Sequence, residues 1–132
     1  MSGSRASALY PTVTLDGWLP NSALSPNARV HWRVKAKAAA EARSTVWGAV
    51  MHAGWPRTPA LTKKRLVVTL VKRRLLDGDN ATSLCKSICD GVVDTGVVVD
   101  DSLQYLEVVV KQEKGKPCTR IELLEATDVP TP

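Results

Sequence analysis

The run Leu66-Val67-Val68-Thr69-Leu70-Val71 constrains the fold of this chain more than any other feature. Side chains branched at Cβ fit a pleated surface better than a helix, where they lose rotamer freedom against the preceding turn. Residues 65–73 are therefore read as a central strand. The same run is too short to cross a bilayer, which takes ~18 apolar residues in a row. Lys72 closes it, and no other apolar stretch is longer.

Partners for that strand are legible on both sides. Val13 and Leu15 alternate within residues 10–18, a first strand broken by Gly17 and Pro20. Residues 19–31 carry Pro20, Asn21, Ser22, Ser25, Pro26 and Asn27, each of which favours turns for its own backbone reason. Alanine with Lys, Glu and Arg at helical spacing predicts a long helix over 33–53, with Val46 and Val50 on its inner face and Gly54 and Pro56 at its end. A second, shorter helix is expected over 81–94, with Asn80 or Thr82 as N-cap and Gly96 as its stop; Gly91 weakens its last turn.

A strand at 103–111, the turn Lys114-Gly115-Lys116-Pro117 and a returning strand at 119–125 read as a hairpin. The ends, 1–9 and 126–132, read as frayed tails. The expected architecture is α/β with α+β character: one small domain over residues 1–132, a mixed four-stranded sheet and two main helices.

Charge narrows the function. There are 18 Lys and Arg against 13 Asp and Glu, a net charge of +5 with pI near 9.3, which favours an acidic partner. The first six residues, Met1 to Ala6, lack the apolar core of a signal peptide, so a soluble cytoplasmic protein is expected. The 3 cysteines make no disulfide framework, in keeping with a reducing compartment. Cys85 and Cys89 share a helical face and could form half a zinc site with His31 or His52. Without a second close pair, buried small hydrophobes are the better reading. No Ser/His/Asp or Cys/His arrangement, phosphate-binding glycine loop or dinucleotide fingerprint is present.

Within this basic chain the acids bunch. Asp77-Gly78-Asp79-Asn80 follows the central strand, Lys86 and Asp90 lie one turn apart on the second helix, and Asp100-Asp101 comes after Val97-Val98-Val99. In extended backbone Asp77 and Asp79 would point the same way. Convergent carboxylates are what a hard cation such as Mg²⁺ requires, and a metal beside a phosphodiester polarises it and activates a water. Lys72, Arg73 and Arg74, which lead into the acids, would offset their repulsion of a polyanion. Arg29, His31, Arg33, Lys35 and Lys37 form a second basic cluster at the start of the long helix, suited to positioning contacts on a phosphate backbone.

The order D-x-D-N, then L-x-K-x-x-x-D, then a glycine followed by a D-D doublet, a strand and a Lys/Gly turn, resembles the RusA family of Holliday-junction resolvases. The likeness runs over residues 65–125, with a looser match at Leu19-Pro20-Asn21-Ser22 and Asn27 to Trp32. It implies a homodimeric, Mg²⁺-dependent endonuclease that resolves four-way DNA junctions by paired nicks, with Mn²⁺ as an alternative ion and no nucleotide cofactor. It further implies that Asp77, Asp79 and Asp101 are the metal-binding catalytic carboxylates, with Asp100 as an alternative ligand. Lys86 would be the essential lysine beside the scissile phosphate, and Asp90 and Asn80 would play supporting roles. Two departures are visible. Ala81-Thr82-Ser83 exceeds the family pattern by about three residues, which an earlier helix start would absorb, and Leu75-Leu76 interrupts the basic run before Asp77.

Simpler readings exist for each piece. D-x-D-N alone is commonly a turn with an N-cap, Asp100-Asp101-Ser102 a loop before a strand, and Lys72-Arg73-Arg74 a solvated strand edge. An EF-hand is excluded, because Ala81 and Thr82 stand where a ligand and the turn glycine belong and Ile88 where the closing Glu belongs. His31 reads as a packing or hydrogen-bonding residue rather than a general base. With no Phe in the chain, Trp18, Trp32, Trp47 and Trp55 are expected mainly in the core rather than as a wedge for a junction. The rival function is a non-catalytic junction-binding or phage regulatory protein on the same fold.

Overall fold

The computed structural model describes residues 9–59 and 61–126. Its strands are β1 (Val13–Asp16), β2 (Lys64–Lys72), β3 (Leu106–Lys114) and β4 (Cys118–Glu125), and its helices α1 (Trp32–His52), α2 (Gly78–Leu84) and α3 (Lys86–Asp94). A 3-10 turn at Ser22–Leu24 interrupts the first loop. The strands make one mixed sheet in the order β1-β4-β2-β3. The predicted ends lie outside the described residues except for Leu9, whose N–H donates to the Leu123 carbonyl, and Ala126, whose N–H donates to Lys63. Among the described residues no helix is long and apolar enough to cross a membrane.

The helices bury one face of the sheet. Leu66, Val68 and Leu70 of β2, two residues apart, point the same way, and each is fully buried. They join Leu106, Ile121 and Leu123 from the neighbouring strands, Val46 and Val50 from α1, and Ile88 and Val92 from α3 in one core. Burying side chains of this size is worth about 1.5–3 kcal/mol each. Val67 and Thr69 on the opposite face are nearly as buried; their flanks carry the Arg65–Glu107 ion pair at 3.1 Å and the Arg120–Glu113 pair.

Gly91 explains why α3 runs on past the residue expected to weaken it. A Cβ there would lie 2.6 Å from the Arg43 carbonyl oxygen and 3.0 Å from Cβ of Val46. The missing side chain lets α1 and α3 approach closely, and tertiary packing outweighs the local helix cost of glycine.

Four expectations are corrected. The hairpin is the first: β3 and β4 do not pair with each other. β2 lies between them, parallel to β3 from Lys64↔Leu106 to Lys72↔Lys114 and antiparallel to β4. The turn 115–117 instead steps across the end of β2, with Gly115 N–H donating to the Lys72 carbonyl at 3.2 Å. Two strand spacings are about 9.5 Å, a gap that the four Cα steps from Lys114 to Cys118 span easily. Second, β3 starts at Leu106 rather than 103, because Ser102 accepts from the N–H groups of Tyr105 and Leu106 at 2.9 Å and prolongs the turn.

Third, Asp77 and Asp79 do not share one extended segment: Asp77 is extended at φ −69°, ψ 161°, but Asp79 is helical. Asp77 caps α2 and Asp79 lies in its first turn, so the helix begins at Gly78 rather than near 81. Fourth, the tryptophans divide: Trp55 is buried and donates from Nε1 to the Pro11 carbonyl at 2.8 Å, and Trp18 packs against the core. Trp32 and Trp47 stay 66% and 41% exposed.

Candidate functional site

Helices α2 and α3 follow one another across a single residue, Cys85, whose backbone remains in the right-handed helical region at φ −88°, ψ −2°. The chain from Asp79 to Asp90 thus runs through two successive helices, with Cys85 N–H turning back to the Thr82 carbonyl at 3.1 Å between them. Asp79, Ser83, Lys86 and Asp90 follow at intervals of 4, 3 and 4, which sets them on one stripe. A cleft of about 390 Å³ opens along that stripe, lined by Thr82, Ser83, Lys86, Cys89, Asp90, Asp101 and Val108. The loop before β3 thus brings Asp101 to the same cleft as Lys86 and Asp90. Asp77 and Asp79 are one to two turns away at the N-terminal end of α2 and do not line it.

The side chains differ in how far the backbone has claimed them. Asp77 Oδ1 accepts the Asn80 N–H at 2.9 Å, and Oδ2 accepts from Asn80 Nδ2 at 3.1 Å. Asp100 Oδ1 accepts the Ser102 N–H at 2.8 Å, and its hydrogen bonds to Ser102 hold the carboxyl below its usual range. Asp79 and Asp101 are exposed, and among the described residues neither side chain accepts a comparable bond. Lys86 Nζ stands 3.6 Å from Asp90 Oδ1, with 73% of the lysine side chain exposed. A pair this long and this open leaves the ammonium free to approach an anion while keeping it over the cleft.

Cys85 and Cys89 sit among these charges as protonated thiols. Burial pushes Cys85 up to about 12. Cys89 is pushed up to about 11 by burial first and then by the negative charges of Asp90 and Asp101, against the opposing pull of Lys86. Cys85 is buried and Cys89 half-buried, which matches their reading as small hydrophobes of the interior. His31, one of the two histidines considered with them, is the N-cap of α1, with Nδ1 accepting the Arg33 N–H at 3.1 Å.

Among the described residues no three His, Cys, Asp or Glu side chains converge closely enough to hold an ion by themselves. The donor set of Asp79, Asp90 and Asp101 is nonetheless all hard oxygen. Mg²⁺ characteristically takes one or two protein carboxylates and fills its octahedron with water and phosphate oxygens. The match is one of donor type alone, since the cleft gathers Asp90 and Asp101 and leaves Asp79 outside its lining.

The basic residues gather at the C-terminal end of β2. Lys72 ends the strand, Arg73 and Arg74 follow exposed, and the register sets Lys114 directly opposite Lys72. The crossing turn then places Lys116 with Arg73 in a second cleft of about 490 Å³, beside Asp16, Gly17, Pro117 and Cys118. Like charges opposed across a sheet destabilise it, and among the described residues none of Lys72, Arg73, Arg74, Lys114 or Lys116 has an ion-pair partner within 4.0 Å. Lys114 and Lys116 were missed in the sequence because only the strand order reveals what they join. In the other cluster Arg29 and Arg33 are exposed, whereas Lys35 is half-buried and ties Nζ to the Ser25 carbonyl at 3.4 Å. Asp94, also overlooked, pairs with Arg43, which holds its carboxyl below the usual range.

No family model matches the chain. A protein of Xylella fastidiosa, known only as an uncharacterized protein, is 35% identical over 86 residues, 62% of this chain and 56% of that protein. The chain thus spans little more than half the length of the relative it matches.

Proposed function

We propose that this chain is a Mg²⁺-dependent endonuclease of the RusA type, acting as a homodimer on four-way DNA junctions in the cytoplasm, with Mn²⁺ as the alternative ion. The observation that carries the reading is the cleft in which Asp101 joins Lys86 and Asp90, continued along the same helical stripe to Asp79. A lysine kept loose among carboxylates, on a chain whose unpaired cations gather at one sheet end, is an arrangement suited to a phosphodiester.

Asp79 and Asp101 would hold the ion together with a phosphate oxygen and water, with Asp77 and Asp100 beside them. When bound, Mg²⁺ supplies a Lewis acid at the phosphoryl oxygen and a water of lowered pKa. Lys86 places its ammonium against the non-bridging oxygens, where negative charge grows as the water attacks. Asp90 keeps that ammonium over the cleft until DNA replaces it as partner. Lys72, Arg73, Arg74, Lys114 and Lys116 take the phosphate backbone and set its register, Arg29 and Arg33 give further backbone contacts, and Lys35 braces the loop beneath them. A two-fold junction meets a two-fold dimer, so two such sites would nick opposing strands symmetrically.

The test is cleavage of a labelled four-way junction beside a linear duplex of the same sequence, in Mg²⁺ and in chelator, by wild type and Asp79→Asn. Paired nicks in the junction alone, lost in chelator and in the variant, are expected. Separate carboxylates beside a full basic rim also suit a binder that does not cut. Tight junction binding without nicks in Mg²⁺ or Mn²⁺ would establish that second reading.

A further inference from the structure

Trp32 begins α1 with 66% of its surface exposed, and its neighbours Val30 and Val34 are 42% and 47% exposed. Isolated apolar residues on a surface are ordinary, but a tryptophan this open, with no place in the core, is a large apolar surface left to solvent. The core does not use this ring. Its local partners are polar: the Arg33 guanidinium lies 5.4 Å from the ring centroid, and the His31 ring is tilted 30° to it at 5.6 Å. The surroundings carry one sign. Residues 17–40 contain no Asp or Glu and four cations, Arg29, Arg33, Lys35 and Lys37. Of these, Arg29, Arg33 and Lys37 are exposed and stand in no ion pair among the described residues.

An open indole amid unneutralised cations complements a molecule that carries flat apolar faces at the spacing of its negative charges. Nucleic acid has that chemistry, and only an unpaired base offers its face to a ring, because in a duplex both faces are stacked. We propose that the Trp32 patch binds single-stranded nucleic acid, the indole stacking on an unpaired base while Arg29, Arg33 and Lys37 contact the flanking phosphates. The proposal requires no cleavage and no metal, so it stands or falls apart from the endonuclease reading. Trp47 supplies the internal contrast: it is exposed on the same helix, but Arg43, one turn before it, is committed to Asp94.

The test uses the full chain in chelator and follows the anisotropy of labelled oligothymidylate, oligouridylate and a duplex of equal length. Trp32→Ala should weaken single-strand binding by about fivefold or more, the scale of one lost base–aromatic stack. Trp32→Phe should keep most of the affinity, Trp47→Ala all of it, and duplex binding should not change in any of the three. Tighter binding of either oligonucleotide identifies DNA or RNA as the ligand. Wild-type affinity in Trp32→Ala, equal losses on single strand and duplex, or no single-strand binding at all would overturn the proposal. So would self-association lost in Trp32→Ala with oligonucleotide binding unchanged, which would give the patch to a second copy of the chain. Because Trp32 is exposed, the alanine variant keeps its core and its folding.

Discussion

Two acidic segments, Asp77-Gly78-Asp79-Asn80 and Asp100-Asp101-Ser102, are built alike and divide their carboxylates alike. In each, the first acid is taken by the backbone: Asp77 caps α2 through the Asn80 N–H, and Asp100 closes a turn through the Ser102 N–H. In each, the second acid remains exposed, Asp79 on the helical stripe and Asp101 at the cleft. An acid that accepts a backbone N–H holds the loop in shape; one that does not is available to a ligand. The comparison thus separates carboxylates that build the site from those able to do chemistry in it, a distinction that composition cannot make.

The largest effects should fall on the free pair. Asp79→Asn and Asp101→Asn are each expected to lower junction cleavage by about 100-fold or more, with Lys86→Met close behind, since a lost electrostatic contact at a reacting centre registers on that scale. Circular dichroism should show all three folded. If Asp100→Asn proves as damaging as Asp101→Asn, the parallel between the two segments is broken.

Gly91→Ala comes next, because its methyl has backbone to displace. It should lower stability by about 2 kcal/mol in urea unfolding, the usual scale of overpacking, and blunt activity only by moving α3 and with it Lys86 and Asp90. The sharpest test is smaller. Asn caps helices as well as Asp does, so Asp77→Asn should retain stability and most activity if capping is the residue's main work. Asp77→Ala should lose about 1 kcal/mol. A collapse of activity in Asp77→Asn would make that residue a ligand and extend the site to the helix end.

Smallest of all is Arg43→Ala, which should barely move the unfolding midpoint, as is usual for exposed ion pairs, and leave cleavage intact. Because Arg43 depresses the Asp94 carboxyl, the contribution is complete above the ordinary carboxylate range and disappears as pH falls through the depressed value. The difference between wild type and variant should therefore close in acid unfolding curves.

Much of this architecture is legible in the chain. The β-branched run at 66–71 makes β2, alanine-rich spacing makes α1, and the acids, the lysine and their order along the second helix follow from turn chemistry and period. The spacing of Lys86 and Asp90 alone places them together. Other features are invisible at that level. Gly91 reads as a weak point and is a packing contact, and Trp32 and Trp47 read as core and lie outside it.

What the sequence determined by itself is the set of elements, since helix period, strand branching and capping are settled among residues a few positions apart. Which strand lies beside which was decided only by tertiary structure. A Lys-Gly-Lys-Pro turn can double a chain back on its neighbour or carry it across the end of a third strand, and its local chemistry is the same in either case. Burial of β2 between β3 and β4 selects the second, and with it the meeting of Lys72, Arg73, Lys114 and Lys116 at one end of the sheet.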